Sequence, residues 1–184
     1  MGSCKTLDLF YIYDSIFVIA ISLFVIWIMW SVVIGAGFEP TSKRLVKKML
    51  EMAEIGPNDV LYDLGSGDGR IVIEAVKGYG ARSVGIEADP IRVLWSRMFL
   101  FFYGIQDKSK IKWGNFFNKD IIEATAVTLF LGGKTNQKLK DKLVKELKPG
   151  SRVVSYVWTF DDWEPAKVNN TDRIYLYIIG VSNI

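Results

Sequence analysis

The segment Asp63-Leu64-Gly65-Ser66-Gly67-Asp68-Gly69-Arg70 is the stretch of this chain best suited to chemistry. Glycines at alternate positions let a backbone turn sharply and approach a ligand closely. A dinucleotide loop needs G-x-G-x-x-G, and its sixth position here is Arg70. A Walker loop needs Gly-Lys-Ser/Thr, which is absent. Asp63 stands two residues before the first glycine. Its charge would repel a pyrophosphate and suits a cationic, amino-acid-like ligand better. The second acid of interest is Glu87, which closes Val84-Gly85-Ile86-Glu87, 24 residues after Asp63. An acid at the tip of a second strand can accept both hydroxyls of a ribose. Alone, Glu87 reads as an ordinary helix-capping acid, and a lone G-x-G is a weak signal. The ordered set of strand, glycine turn, helix, strand and closing acid is a strong one.

Composition narrows the chemistry further. The chain of 184 residues has no histidine and one cysteine, Cys4. Histidine metal sites, Ser–His–Asp triads and histidine general bases are therefore excluded, as is an intrachain disulfide. No metal is expected. The net charge of +3 is mild and does not by itself argue for nucleic acid.

These residues need a scaffold, and the pattern after residue 38 supplies one. Thr41 to Ile55 is amphipathic at helical spacing, with Leu45, Val46, Met49, Leu50 and Ala53 on one face. Strands are expected over 60–64, 83–87, 110–115, 124–131, 151–160 and 173–180. Helices are expected over 70–79, from the Asp89-Pro90 cap to Tyr103, and over 135–148 up to Pro149-Gly150. Strands alternating with helices imply an α/β fold, a mostly parallel sheet covered on both faces.

Residues 1–37 are different. From Ile16 to Ile34 there is no charged residue. Nineteen residues at helical rise span about 28 Å, close to the hydrocarbon core of a bilayer. Tyr11 and Tyr13 lie near one end and Trp27 and Trp30 near the other, as suits membrane–water interfaces. A transmembrane helix over 16–34, followed by a Gly35-Ala36-Gly37 linker, is the expectation, with a second domain over 38–184. Lys43, Arg44, Lys47 and Lys48 follow the stretch and only Lys5 precedes it, which predicts a single-pass protein with that domain on the cytoplasmic side. The same cations also fit the solvated face of the next helix.

The assembled motifs resemble the class I S-adenosylmethionine-dependent methyltransferases, a Rossmann-like family built on a seven-stranded sheet. Pro40-Thr41, 63–73, Gly114-Asn115-Phe116-Phe117, 127–131 and 152–155 with Trp163 resemble one subgroup more closely, from Pro40 to about Val168. That subgroup is the small archaeal protein-lysine methyltransferases and their membrane-anchored mitochondrial relatives, which methylate lysines of inner-membrane proteins. The resemblance implies S-adenosylmethionine as cofactor, held by Thr41, Asp63, Gly65, Ser66, Gly67, Gly69 and Glu87. It also implies adenine contacts from Asn115 and Phe116, although Phe116 equally reads as a core residue. One departure is Tyr156, which stands where some archaeal relatives have histidine, so that position cannot supply an imidazole base.

A lysine acceptor must lose its proton, which an apolar or aromatic pocket favours, and aromatic faces attract its cationic form. Phe130, Tyr156, Trp158 and Trp163 are the candidates, with the loop 130–134. Core packing is the alternative for Phe130 and Trp158. The reading is a membrane-anchored methyltransferase acting on protein lysines. A lipid or quinone methyltransferase, or a cofactor-binding but non-catalytic partner of a membrane complex, are the alternatives. An Asn-Pro-Pro-Tyr motif is absent after the fourth strand, which reads Leu131-Gly132-Gly133-Lys134, and no nucleic-acid partner is expected. Finally, 98–103 holds six apolar or aromatic residues in a row, which cannot share one helix face. They are expected to pack between the sheet and a neighbouring element, with contact to lipid or the anchor as the alternative. Lys138, Lys140, Lys142, Lys145 and Lys148 are read either as solvated or as facing anionic lipid.

Overall fold

The computed structural model describes residues 3–33 and 41–182, with side chains from 11–26 and 41–182. Backbone contacts divide the chain into two units, Met1–Phe38 and Glu39–Ile184.

The first unit contains one helix, α1 (Ser3–Val33). The sequence predicts a membrane span over 16–34, but among the described residues no helix is long and apolar enough to cross a membrane. Of the expected span, the side chains of residues 16–26 are described. The side chains of Trp27 and Trp30, the linker 35–37 and Pro40 lie outside the described residues.

The second unit is an α/β sandwich. Its elements are α2 (Lys43–Met52), β1 (Val60–Leu64), α3 (Arg70–Tyr79), β2 (Arg82–Glu87), α4 (Pro90–Phe102), β3 (Ser109–Trp113), β4 (Ala126–Leu129), α5 (Gly133–Glu146), β5 (Arg152–Tyr156), β6 (Lys167–Asn169) and β7 (Ile174–Ile178). The seven strands lie in the order β3-β2-β1-β4-β5-β7-β6. Strands β1 to β5 pair in parallel, and β7 runs antiparallel to both β5 and β6. The sheet is therefore mixed. Strand order reverses between β1 and β4, and ligands of open α/β sheets bind beyond the carboxyl ends of the strands at such a point.

Alternation along the strands builds two cores. Val60, Tyr62 and Leu64 of β1 face Leu139 and Leu143 of α5 in one cluster that also holds Phe160, Trp163 and Tyr177. Leu61 points the other way, into a cluster with Val46, Met49 and Leu50 of α2 and Ile71 and Ala75 of α3. On that second face Val72 of α3, Val93 and Leu100 of α4 and Ile111 of β3 pack together. Caps set the helix starts. The Ser42 hydroxyl accepts from Leu45 N, and the Asp89 carboxylate accepts from the backbone of Ile91 and Arg92 ahead of Pro90.

Three expectations need correction. The fifth strand stops at Tyr156 rather than Phe160, because Val157 adopts φ +72° and Trp158 N donates back to Tyr156 O at 2.9 Å. This γ-turn costs a β-branched residue strain. Strand β6 has no counterpart in the sequence reading, because three half-polar residues carry no alternation signal. The aromatic run at the end of α4 is not packed between elements: Val93, Ser96 and Leu100 are buried, whereas Met98, Phe101, Phe102 and Tyr103 are exposed. Only the positions at 93, 96 and 100 lie on the sheet-facing stripe.

Gly85 on β2 links the sheet to the glycine turn. A β-carbon there would stand 2.5 Å from the Ser66 hydroxyl and 2.7 Å from Ile111 Cδ1. Gly85→Ala is therefore expected to destabilise the domain by about 1–3 kcal/mol and to displace the turn. Urea unfolding with a parallel cofactor titration measures both.

Candidate active site

The site begins at Asp63, the penultimate residue of β1. Its register partner on β4 is Thr128, and the Thr128 hydroxyl donates to the Asp63 carboxylate at 2.8 Å. That contact sits at the switch point. Asp63 is buried, and burial, aided by the nearby charges of Glu87 and Asp68, raises its pKa to about 7 against the opposing Thr128 bond.

The chain leaves β1 through a turn whose glycines take left-handed conformations: φ is +81° at Gly65, +55° at Gly67 and +79° at Gly69. Space is as restrictive as conformation. A β-carbon at Gly65 would meet Leu131 at 3.0 Å, and one at Gly69 would meet Ser96 at 3.1 Å. Gly65 N and Ser66 N both donate to Ile86 O, which ties the turn to β2. The Ser66 hydroxyl is buried and has no hydrogen-bond partner among the described residues.

Glu87 ends β2 and holds the turn from the other side. Its Oε2 accepts from Gly67 N at 2.7 Å and its Oε1 accepts from Asp89 N at 2.9 Å. Each carboxylate oxygen has a second lone pair, so these bonds orient the group and leave acceptor capacity for a diol. A cofactor with a cationic amino-acid end and a ribose fits this donor and acceptor set, with Asp63 and the turn at one end and Glu87 at the other.

Arg70 adds a clamp. Its guanidinium pairs with Asp68, and its Nη1 donates to Thr41 O at 2.6 Å. Thr41 is buried. Burial alone would raise the Asp68 pKa, but the hydrogen bonds and charge of Arg70 hold it below the ordinary value. The residue that breaks the dinucleotide fingerprint thus fastens the entry segment to the glycine turn.

The adenine candidates sit at the end of β3. Asn115 is exposed, and its Oδ1 accepts from Phe117 N, capping a short 3-10 turn over Phe116–Asn118. Phe116 is half-buried, 4.8 Å from the Phe117 ring between centroids, and rests against the main core. It serves the core and keeps one part of its ring exposed.

Three of the four aromatic pocket candidates gather around the loop after β4. The Phe130 and Tyr156 rings lie 4.6 Å apart. Leu131 covers Gly65. Trp158 is 46% exposed and lies against Gly133, where a β-carbon would stand 3.0 Å from its ring. Trp158 is aimed there by the γ-turn at Val157, and its carbonyl accepts from Asn136 Nδ2 and from the Ser155 hydroxyl. Trp163 does not join them. It is buried against Phe160 and Tyr177, at 4.5 and 6.0 Å between centroids, and is a core residue. Among the described residues no group of three or more His, Cys, Asp and Glu could hold a metal ion.

Residues 63–167 match the family described as the ANTKMT methyltransferase domain. The chain belongs to that family. It is 42% identical over 150 residues to a protein-lysine N-methyltransferase of Saccharolobus islandicus, covering 78% of this chain and 93% of that protein. It is 28% identical over 165 residues to the adenine nucleotide translocase lysine N-methyltransferase of Mus musculus, covering 83% of this chain and 72% of the mouse protein. A crystal structure described as an RNA methyltransferase from Salinibacter ruber, in complex with S-adenosyl-L-homocysteine, superposes with a TM-score of 0.75 at 45% identity, over 77% of this chain and 94% of that one. The protein is an S-adenosylmethionine-dependent methyltransferase with a Rossmann-like class I fold.

Thr128, Arg70 and the Asn136–Ser155–Trp158 contacts escape the sequence reading. Thr128 pairs with Asp63 only through strand register, and Arg70 reads only as an interruption of another motif.

The raised Asp63 pKa gives a signed prediction. The folded state holds a proton that the unfolded state releases, so stability falls as pH rises from the ordinary aspartate range through about 7. Asp63→Asn is expected to raise the melting temperature of the ligand-free protein at pH 8 and to leave it nearly unchanged below pH 4. The same substitution should weaken cofactor binding at pH 8, read by calorimetric titration.

Proposed function

We propose that this enzyme transfers a methyl group from S-adenosylmethionine to lysine side chains of proteins at a membrane. The observation that carries the acceptor is the aromatic group of Phe130, Tyr156 and Trp158 around a loop that touches the glycine turn. The sulfonium supplies an activated methyl group, so the protein chiefly has to align and deprotonate an amine. Aromatic faces draw in the ammonium, and their low polarity favours its neutral form. No histidine is needed. The relatives named as lysine N-methyltransferases support the same acceptor.

The membrane part rests on α1. Its described residues carry exposed apolar side chains from Ile16 to Ile26, and the uncharged stretch of the sequence runs on to Ile34. We read this helix as a single-pass anchor, with the catalytic domain on the cytoplasmic side where Lys43, Arg44, Lys47 and Lys48 lie. Arg44 and Lys48 also pair with Asp172, and Lys47 lies 3.9 Å from Glu74, so these cations have structural partners as well. An RNA acceptor is a second reading, favoured by the description of the Salinibacter ruber neighbour.

Incubation of the full chain with methyl-labelled cofactor and native membranes, with Asp63→Ala as the blank, separates the acceptors. Label recovered as methyl-lysine in a protein band is the expected result. Label in lipid or RNA would replace the acceptor, and none despite tight cofactor binding would indicate a non-catalytic partner. Trp158→Ala and Phe130→Ala are expected to lower kcat/KM about 3- to 30-fold with little change in cofactor affinity.

A further inference from the structure

Helix α4 is amphipathic twice over. One stripe, Val93, Ser96 and Leu100, is buried on the sheet. The opposite stripe, Ile91, Leu94, Trp95, Met98, Phe101 and Phe102, repeats at three- and four-residue spacing and is exposed. Leu94, Phe101 and Phe102 are 69, 67 and 72% exposed. A second apolar stripe at helical period requires an apolar surrounding, since isolated apolar residues on a surface do not fall into register.

We infer that this face of α4 lies in the interfacial layer of a lipid bilayer. The chemistry of its border selects lipid as the occupant. Within the helix there is no acidic residue; Arg92 is mostly covered and pairs with the N-cap Asp89 at 3.5 Å, which leaves Arg97 as the helix's exposed cation. Arg97 is exposed and spans to β3, donating from Nε and Nη2 to Ile111 O at 3.1 and 2.9 Å. Lys77 stands 4.1 Å above the Tyr103 ring, just beyond the helix end. Asp107 lies in the loop that follows, beside Lys108 and Lys110. Both ends of the stripe carry amphipathic rings. Tyr103 is at one end. At the other, Trp113 is 59% exposed with its indole N–H bonded to Ala88 O at 3.1 Å. Aromatic rings with a polar edge, a Leu/Phe/Met centre and a basic margin are the composition of helices that lie in an anionic membrane surface.

The consequence reaches the reaction. α4 starts at Pro90, and the preceding Asp89 N–H bonds to Glu87. A bilayer against α4 holds the cofactor end of the sheet near headgroup level, where lysines at the ends of membrane segments emerge. The inference rests on the proposed membrane location for the presence of a bilayer.

The test uses the full chain in a Cys4→Ser background, reconstituted in vesicles of phosphatidylcholine with one quarter phosphatidylglycerol. Single cysteines at Leu94, Phe101, Phe17 of α1 and Lys138 of α5 carry an environment-sensitive fluorophore, quenched by spin-labelled lipid. The expected result is quenching at 94, 101 and 17 at least about threefold stronger than at 138. Strong quenching at 17 with water-like signals at 94 and 101 would overturn this inference alone. Water-like signals at 17 as well would overturn it together with the anchor. Shielding of 94 and 101 from water without lipid quenching would assign the face to a protein and overturn it too.

Discussion

The buried carboxylate of Asp63 is the constraint on which the site depends. It occupies the carboxyl end of β1 where the strand order reverses, with one hydrogen bond from Thr128 on the neighbouring strand. That bond only partly compensates its charge, and Glu87 and Asp68 add further negative potential. A site held in that state favours a cation. The ligand-free protein thus stores a cost that a bound cation would offset, and the three acids make the glycine turn a poorer fit for a phosphate than for a cationic amino-acid end.

The surrounding elements serve to hold this arrangement. Glu87 uses both oxygens to fix the turn and the start of α4. Ile86 O receives two backbone donors from the turn, and Arg70 reaches from α3 to Thr41. Leu131 closes over Gly65 from the β4 side. Leu131 follows Phe130 in the chain, so that contact brings the loop carrying Phe130 up to the glycine turn. The strained turn at Val157 is the device that brings Trp158 back to Gly133.

What the sequence disclosed follows from what is local in the chain. Glycine spacing, the two acids, the helix caps and the alternation of five strands are all set within a few residues, and each was legible. Contacts made through register were not. Thr128 meets Asp63 because β4 pairs with β1 at one offset, which no local pattern states. Residue type also failed where it serves two purposes. Trp163 and Trp158 read alike, yet Trp163 fills the core beside Phe160 and Tyr177 while Trp158 is exposed. Val157 defied its own propensity, because a β-branched residue at φ +72° is the opposite of a turn signal. The second apolar stripe of α4 was visible as an excess of apolar residues, but its direction required the fold.

The central claim, that the turn between Asp63 and Glu87 forms the S-adenosylmethionine site, is tested most directly by calorimetric titration of S-adenosylhomocysteine into the full chain and Glu87→Ala. Loss of charge-assisted acceptance from the ribose and from Gly67 N removes about 2 kcal/mol. The account predicts binding weakened about 30-fold or more, with thermal unfolding still cooperative. Unchanged affinity in the folded variant would contradict it, and would place the nucleoside elsewhere on the sheet.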